Sequence, residues 1–329
     1  MITAKIKSAL VAIVVTAAIG YGLARISIEG FGVYGSGIFI LTPVICGAIS
    51  VLVYNRRGKR ELKESLITAL ITGLLSLLGF FVLGFEGLIC LAMAVPIMLP
   101  MFAIGGLVGY WLSRIISKKI ISDATTILLC LMTPLFMGFE SQFKESFKER
   151  EVTTRVAIKG NVEAVWTEVI EFSRIPEPEE LLFRIGIAYP THAEIKGEGV
   201  GAIRYCNFST GSFVEPITHW EENKLLAFDV LEQPEPMTEI SPYVGIHPPH
   251  LDWAVQSHRG QFQLRDLGDG NVELVGTTWY HTLMDPEPYW GWLSDQMIHL
   301  IHLRVLNHIK DTIETDANQS LHTNGDSSR

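Results

Sequence analysis

The chain has 329 residues, 48% apolar and 19% charged, with a formal net charge of −9. The charge is divided: residues 1–150 carry 14 basic and 8 acidic side chains, and the remainder carries 12 and 27. An apolar, basic-edged front half therefore precedes an acidic back half, and so acidic a region excludes nucleic acid as its natural partner, because phosphates need Lys and Arg.

A bilayer crossing needs roughly 20 mainly apolar residues. Four stretches qualify, at 8–24, 33–54, 65–85 and 88–112, and a fifth, shorter one follows at 124–139, ATTILLCLMTPLFMGF. The fifth has only 16 residues, about 24 Å as a helix. A span is expected there, with Lys118, Lys119 and Lys144 snorkelling and the bilayer thinning locally; a re-entrant or interfacial helix is the other reading. Lys5 and Lys7 precede the first stretch, but further spans follow at once, so it reads as a retained anchor rather than a cleaved signal. The loop NRRGKRELK at 55–63 and SRIISKK at 113–119 are basic, while the opposite loops around Glu29 and Glu86 are not. Positive charge marks the cytoplasmic side. Five spans then place the acidic half in the periplasm or outside the cell, from a multi-pass inner (cell) membrane anchor.

Pro43, Pro96, Pro100 and Pro134 lie within these stretches, and GGLVG at 105–109 offers a small-xxx-small pair. Without a charge inside any span, these residues read as helix-packing features rather than as a transport pathway. Cys46, Cys90 and Cys130 sit in apolar segments and Cys206 alone in the polar half, so neither a disulfide framework nor a CxxC metal pair is expected.

Residues 140–150 alternate in charge and read as a connector. EVTTRVAIKG alternates like a strand. NVEAVWTEVIEF follows, with Asn161 as N-cap and Val162, Val165, Trp166 and Val169 on one helical face. Short strand-like runs fill 184–281: AEIKGEG, GAIRYCNF, SFVEPITHW, LLAFDVLEQ, RGQFQLRDL and NVELVGTTWYHTL, with LGDGN as a hairpin turn. A long helical pattern covers 288–315, and residues 317–329 are disordered in composition.

This order of strand, helix, antiparallel strands and long last helix resembles the helix-grip fold of the SRPBCC superfamily. That group includes START lipid-transfer domains, aromatic polyketide cyclases and the birch pollen allergen. The resemblance rests on VAIKGNVEAVWTEVIEF, GEGVGAIRY, FVEPITHWEENKLLAFDV, LVGTTWYHTL and the ending RVLNHIKDTIE. More narrowly, the chain looks like bacterial multi-span membrane proteins that end in such a domain. The implied fold is an N-terminal all-α transmembrane bundle (1–139) followed by an α+β helix-grip domain (151–316), a curved antiparallel sheet around the last helix. A hydrophobic cavity between sheet and helix is implied, but no particular ligand.

GEGVG at 197–201 precedes a strand rather than a helix and is read as a turn, not a phosphate loop. On the last helix Asp295, His299 and His302 share a stripe at 100° per residue, beside the apolar Ile298, Val305 and Ile309. They are candidates for a polar ligand anchor, a metal site or an acid/base pair, or for an internal hydrogen-bonded network, with Asp295 spaced to orient His299. On GTTWYHTL, Thr277, Trp279 and His281 share one face and Thr278 and Tyr280 the other. Ala202, Arg204, Cys206 and Phe208 share a face of GAIRYCNF; turned inward, Arg204 suits an anionic head group. The role of Glu215 stays open. In HPPH, tandem proline favours three residues per turn, placing His247 and His250 on one side about 9 Å apart at their backbones, so they could share a zinc, together with His299 and His302, only by leaning together. They read as polar rim contacts on a stiff loop at the cavity mouth.

The expected ligand-binding set is thus Arg204, His247, His250, Trp279, His281, Asp295, His299 and His302, with no metal and no cofactor. The leading reading is membrane-tethered binding of a hydrophobic small molecule, such as a lipid or isoprenoid, in an apolar pocket of several hundred Å³. The alternative is a cyclase- or dehydratase-type enzyme using His281, His299 and His302. No GxSxG nucleophile is present. The oligomeric state is not legible.

Overall fold

In a computed structural model of the chain, the described residues are 2–32, 34–115, 119–143, 149–243 and 245–326. Lys118, residues 144–148 of the connector read at 140–150, Lys144 among them, and the last three residues of the tail lie outside them. The chain forms two compact units. The first is Met1–Phe147 with two later segments, Glu239–His250 and Leu283–Tyr289; the second is Lys148–Thr238, Leu251–Thr282 and Trp290–Arg329.

The first unit contains α1 (Ile2–Arg25), α2 (Thr42–Asn55), α3 (Leu62–Val82), α4 (Leu88–Ile115) and α5 (Lys119–Glu140). Among the described residues, five helical stretches are long and apolar enough to cross a membrane, including Asp123–Glu140. The fifth of these agrees with the stretch read at 124–139 to within a residue at each end, and the helix that carries it begins earlier, at Lys119. The helix itself is 22 residues, about 33 Å. Gly105 and Gly109 of the GGLVG stretch face the backbone of α2: a methyl on Gly105 falls 2.0 Å from the Val44 carbonyl oxygen, and one on Gly109 falls 2.4 Å from that of Ala48. Small residues let these two helices approach backbone to backbone.

The second unit is an antiparallel sheet of β1 (Arg150–Lys159), β2 (Pro190–Lys196), β3 (Ile203–Phe208), β4 (Gly211–Glu221), β5 (Leu225–Asp229), β6 (Val255–Gly268) and β7 (Asn271–Thr282), in the order β1-β7-β6-β5-β4-β3-β2. Helices α6 (Val162–Ile170) and α7 (Leu181–Arg184) fill the β1–β2 connection, and α8 (Glu287–Asp326) closes the chain. The helix extends past 315, through much of the tail whose composition reads as disordered. Asn161 caps α6, its side-chain oxygen accepting from Ala164 N–H at 2.7 Å, which satisfies a donor the helix leaves open. The β6–β7 hairpin turns through Gly268, Asp269 and Gly270, all at positive φ.

The core lies between sheet and α8. Val165, Trp166 and Val169 of α6, Leu226, Leu264, Val272 and Leu274 of the strands, and Val305, Leu306, Ile309 and Ile313 of α8 are all buried. Helix α8 reaches both sheet edges: Glu314 accepts from Lys159 N–H on β1 at 3.0 Å, and Arg304 donates to the Pro190 carbonyl on β2 at 3.1 Å. This is the helix-grip arrangement, with the sheet wrapped about the last helix.

Candidate functional site

Strands β3 and β4 set the site. Their register places Arg204 opposite Glu215, and alternation turns Arg204, Cys206 and Phe208 toward α8. Arg204 is 1% exposed and Glu215 5%. The guanidinium Nη1 donates to the Glu215 carboxylate, and Nε donates to the Ile170 carbonyl at 3.2 Å. Three aromatic rings surround the cation, with centres at 5.4 Å (Phe262), 5.6 Å (Phe172) and 5.7 Å (Phe228), within cation–π range. Burial pushes the Glu215 carboxyl up from its ordinary value, against the pull of Arg204. Arg204 stays protonated, since burial is outweighed by Glu215 and Cys206. One nitrogen of this buried group, Nη2, has no hydrogen-bond partner.

Arg204 is among the residues that line a cavity of about 120 Å³. Phe172, Phe208, Phe213, Phe228 and Phe262 line it, with Ile298, Ile301, His302 and Val305 of α8 opposite. The volume is well below the several hundred Å³ expected from the sequence. Phenylalanines fill the space that the strand pattern alone leaves open, and it is close to the size that admits a single benzene ring.

Of the sequence-derived candidates, the cavity brings together Arg204 and His302. His302 Nδ1 lies 3.2 Å from the Thr154 hydroxyl and Nε2 2.8 Å from that of Thr278. Thr154 also meets His299 Nδ1 at 2.7 Å. Protons directed either way along this chain satisfy all three bonds with neutral rings. Burial lowers the His302 pKa to about 4, His299 adding to the shift. Asp295 has other partners than His299. It binds Arg150 and accepts from the Tyr280 hydroxyl at 2.7 Å, because Tyr280 faces α8 one turn before His299.

Trp279 and His281 lie on the opposite face of β7. Trp279 donates to Glu151 at 3.1 Å beneath the Arg259 guanidinium, and His281 packs edge-on against His258 at 4.2 Å. His247 and His250 belong to the first unit, His247 exposed and His250 buried. Glu239 and Ile240 cap α4 within the first unit, and the segment carrying HPPH continues from them. Thr154, Thr278, the phenylalanine set and the pairing of Glu215 escaped the sequence reading. The shared face of Arg204, Cys206 and Phe208 was their visible signal.

No family model and no curated protein matches the chain. Among solved structures it is similar to norcoclaurine synthase from Thalictrum flavum in complex with dopamine and hydroxybenzaldehyde, at 14% identity over 52% of this chain and 90% of that one, TM-score 0.35. It is similar also to the Zhui aromatase/cyclase from Streptomyces sp. R1128, at 14% identity over 51% and 94%, TM-score 0.32. A protein from Nitrosospira multiformis aligns at 14% identity over 51% and 99%, TM-score 0.34.

Proposed function

We propose that the second unit binds a compact hydrophobic molecule carrying one hydrogen-bond acceptor, and that the first unit anchors it in a membrane. The observation that carries this reading is Arg204, a buried residue lining a phenylalanine-lined cavity, whose Nη2 makes no hydrogen bond. A buried donor left unmade costs about 1–3 kcal/mol, which a ligand oxygen recovers. Because Glu215 already neutralises Arg204, the site asks for a carbonyl, phenol or single carboxylate rather than a phosphate dianion. An aromatic or short isoprenyl body fits the volume. Binding is favoured over catalysis because His299 and His302 are engaged by threonine hydroxyls rather than converging on an open point.

The anchor has a side. Glu140 accepts from Ser36 and Gly37 N–H, and Glu239 from Ile89 and Cys90 N–H. Thus the turn at 83–87, the loop at 32–37 and the segment 239–250 share one end of the first unit, away from the basic loop at 55–63. With positive charge inside, that end is extracytoplasmic, and a segment of the C-terminal half is held there independently of the fifth helix.

The test is native extraction of the full chain in mild detergent, followed by mass spectrometry of what it retains. One compact apolar compound, retained by the protein and lost in Arg204→Gln, is the expected result. A chain that stays empty and binds no added aromatic or isoprenyl ketone sinks the reading.

A further inference from the structure

At the loop end of the first unit three different donor groups converge. Glu86 lies in the turn between α3 and α4, Cys90 in the first turn of α4, and His250 at the end of the 239–250 segment. One ligand atom from each lies within 4.8 Å of the others. The imidazole sits between its neighbours, Nε2 at 3.3 Å from the Cys90 sulfur and Nδ1 at 3.9 Å from a Glu86 oxygen. His250 is 5% exposed, yet its Nδ1 and that Glu86 oxygen have no hydrogen-bond partner.

The surroundings are built around these groups. The other Glu86 oxygen accepts from the Tyr34 hydroxyl at 2.9 Å, and the Tyr34 ring packs on the imidazole at 4.5 Å. Glu239 brings a second carboxylate to Cys90, accepting from its N–H at 2.9 Å. Its approach depends on Gly87, where a methyl would fall 2.1 Å from a Glu239 oxygen. Two carboxylates, a thiol and an imidazole thus share a buried corner.

We propose that Glu86, Cys90 and His250 bind a zinc-type divalent cation. Thiolate, neutral imidazole and carboxylate are the donors such an ion selects. In a tetrahedral zinc site the sulfur and nitrogen ligands stand about 3.6 Å apart, close to the 3.3 Å between Cys90 and His250. Coordination uses the Nε2 that faces Cys90, whereas the nearest Glu86 oxygen now lies against Nδ1 on the other edge of the ring; the carboxylate, within 4.8 Å of the other two donor atoms, needs to swing toward the Nε2 side and close by up to about 1.5 Å. Binding releases the thiol proton. The ion joins the 239–250 segment to the α3–α4 turn, and Tyr34 is a positioning residue that orients the Glu86 carboxylate. The pair read from spacing, His247 with His250, is not the ligand set. The assignment concerns the first unit alone and stands or falls separately from the cavity.

The full chain in detergent, stripped with chelator, is titrated with Co²⁺ alone and then with Zn²⁺ in competition. The expected result is stoichiometric uptake with a near-ultraviolet thiolate-to-cobalt band. Cys90→Ser abolishes the band, Tyr34→Phe keeps it but weakens affinity roughly 10–100-fold, and replacement of an exposed imidazole, His219→Gln, changes neither. Absence of stoichiometric cobalt, or a band that survives Cys90→Ser, overturns the proposal. If Cys90→Ser does not fold, the unaltered chain decides. Bound zinc should cut iodoacetamide labelling of Cys90 about ten-fold or more, since the metal holds the reactive thiolate. Equal labelling with and without zinc overturns the assignment.

Discussion

Replacing Arg204 by Met should damage the second unit more than replacing Arg204 and Glu215 together. The single change leaves Glu215, 5% exposed, without its cation among phenylalanine rings. Breaking a buried pair on one side costs about 3–5 kcal/mol. In a unit of this size each kcal/mol moves the melting temperature by roughly 2–4 °C, so a loss of about 6–20 °C is expected. The double variant Arg204→Met with Glu215→Gln removes both charges. It should recover most of that loss, since neutral replacement of a buried pair is often nearly neutral in energy. Ligand retention should not recover, because no variant restores Nη2. The assay is thermal unfolding of the full chain in detergent, with mass spectrometry of the extracted ligand alongside. If the double variant is as unstable as the single one, the pair is not the coupled unit argued above. If it retains ligand like the unaltered chain, Arg204 is not the anchor.

The His302 imidazole is held neutral, with its pKa lowered from 6.5 to about 4. Its contribution to stability is therefore complete above about pH 6.5 and is lost as pH falls toward 4, where only the unfolded chain takes the proton readily. The loss is on the order of 3 kcal/mol; a melting curve of His302→Gln as flat between pH 7 and 5 as it is steep in the unaltered chain is expected, and equal slopes refute the cause. Gly105→Val should separate α2 from α4 and lower expression in the membrane fraction, because even a methyl there meets the Val44 carbonyl oxygen at 2.0 Å; normal expression and melting would refute the close contact. A phosphatase fused after residue 320 should be active and a fluorescent protein there dark; the reverse pattern places the second unit in the cytoplasm.

Periodicity made much of this architecture legible. The alternation in EVTTRVAIKG and NVELVGTTWYHTL marks β1 and β7, and the Asn161 cap marks α6. The stripe through Val305 and Ile309 gives the buried face of α8. Failures came where tertiary contacts choose among equals. Both faces of β7 carry polar and aromatic residues, so nothing local told Thr278 and Tyr280 from Trp279 and His281; the α8 partners His302 and Asp295 decided it. The partners around HPPH were hidden for a longer-range reason. Residues 239–250 satisfy the open N–H groups at the start of α4, about 150 positions earlier. No window along the chain contains both halves of that contact, and His250 has meaning only beside Glu86 and Cys90.

The size of the cavity bears on which ligands the fold can hold. To admit a two-tailed lipid, α8 would have to lift from the sheet and expose Val305, Leu306 and Ile309, now 6%, 0% and 0% exposed. Uncovering three such side chains costs about 5–9 kcal/mol at 1.5–3 kcal/mol each. A lipid would have to offset that with contacts of its own before gaining any affinity. A compact ring or short isoprenyl chain enters a hole of about 120 Å³ with α8 in place, and the Arg204 donor then adds to its affinity rather than compensating for an opened core. The same bound ranks the candidates within the apolar class: affinity should rise with added carbon until the cavity is filled and fall sharply once another carbon forces Leu306 off the sheet. A homologous series of alkyl or isoprenyl ketones, titrated against the full chain, should show that break. A series that keeps gaining affinity through lipid length would mean that the sheet and α8 separate far more easily than their buried contacts imply.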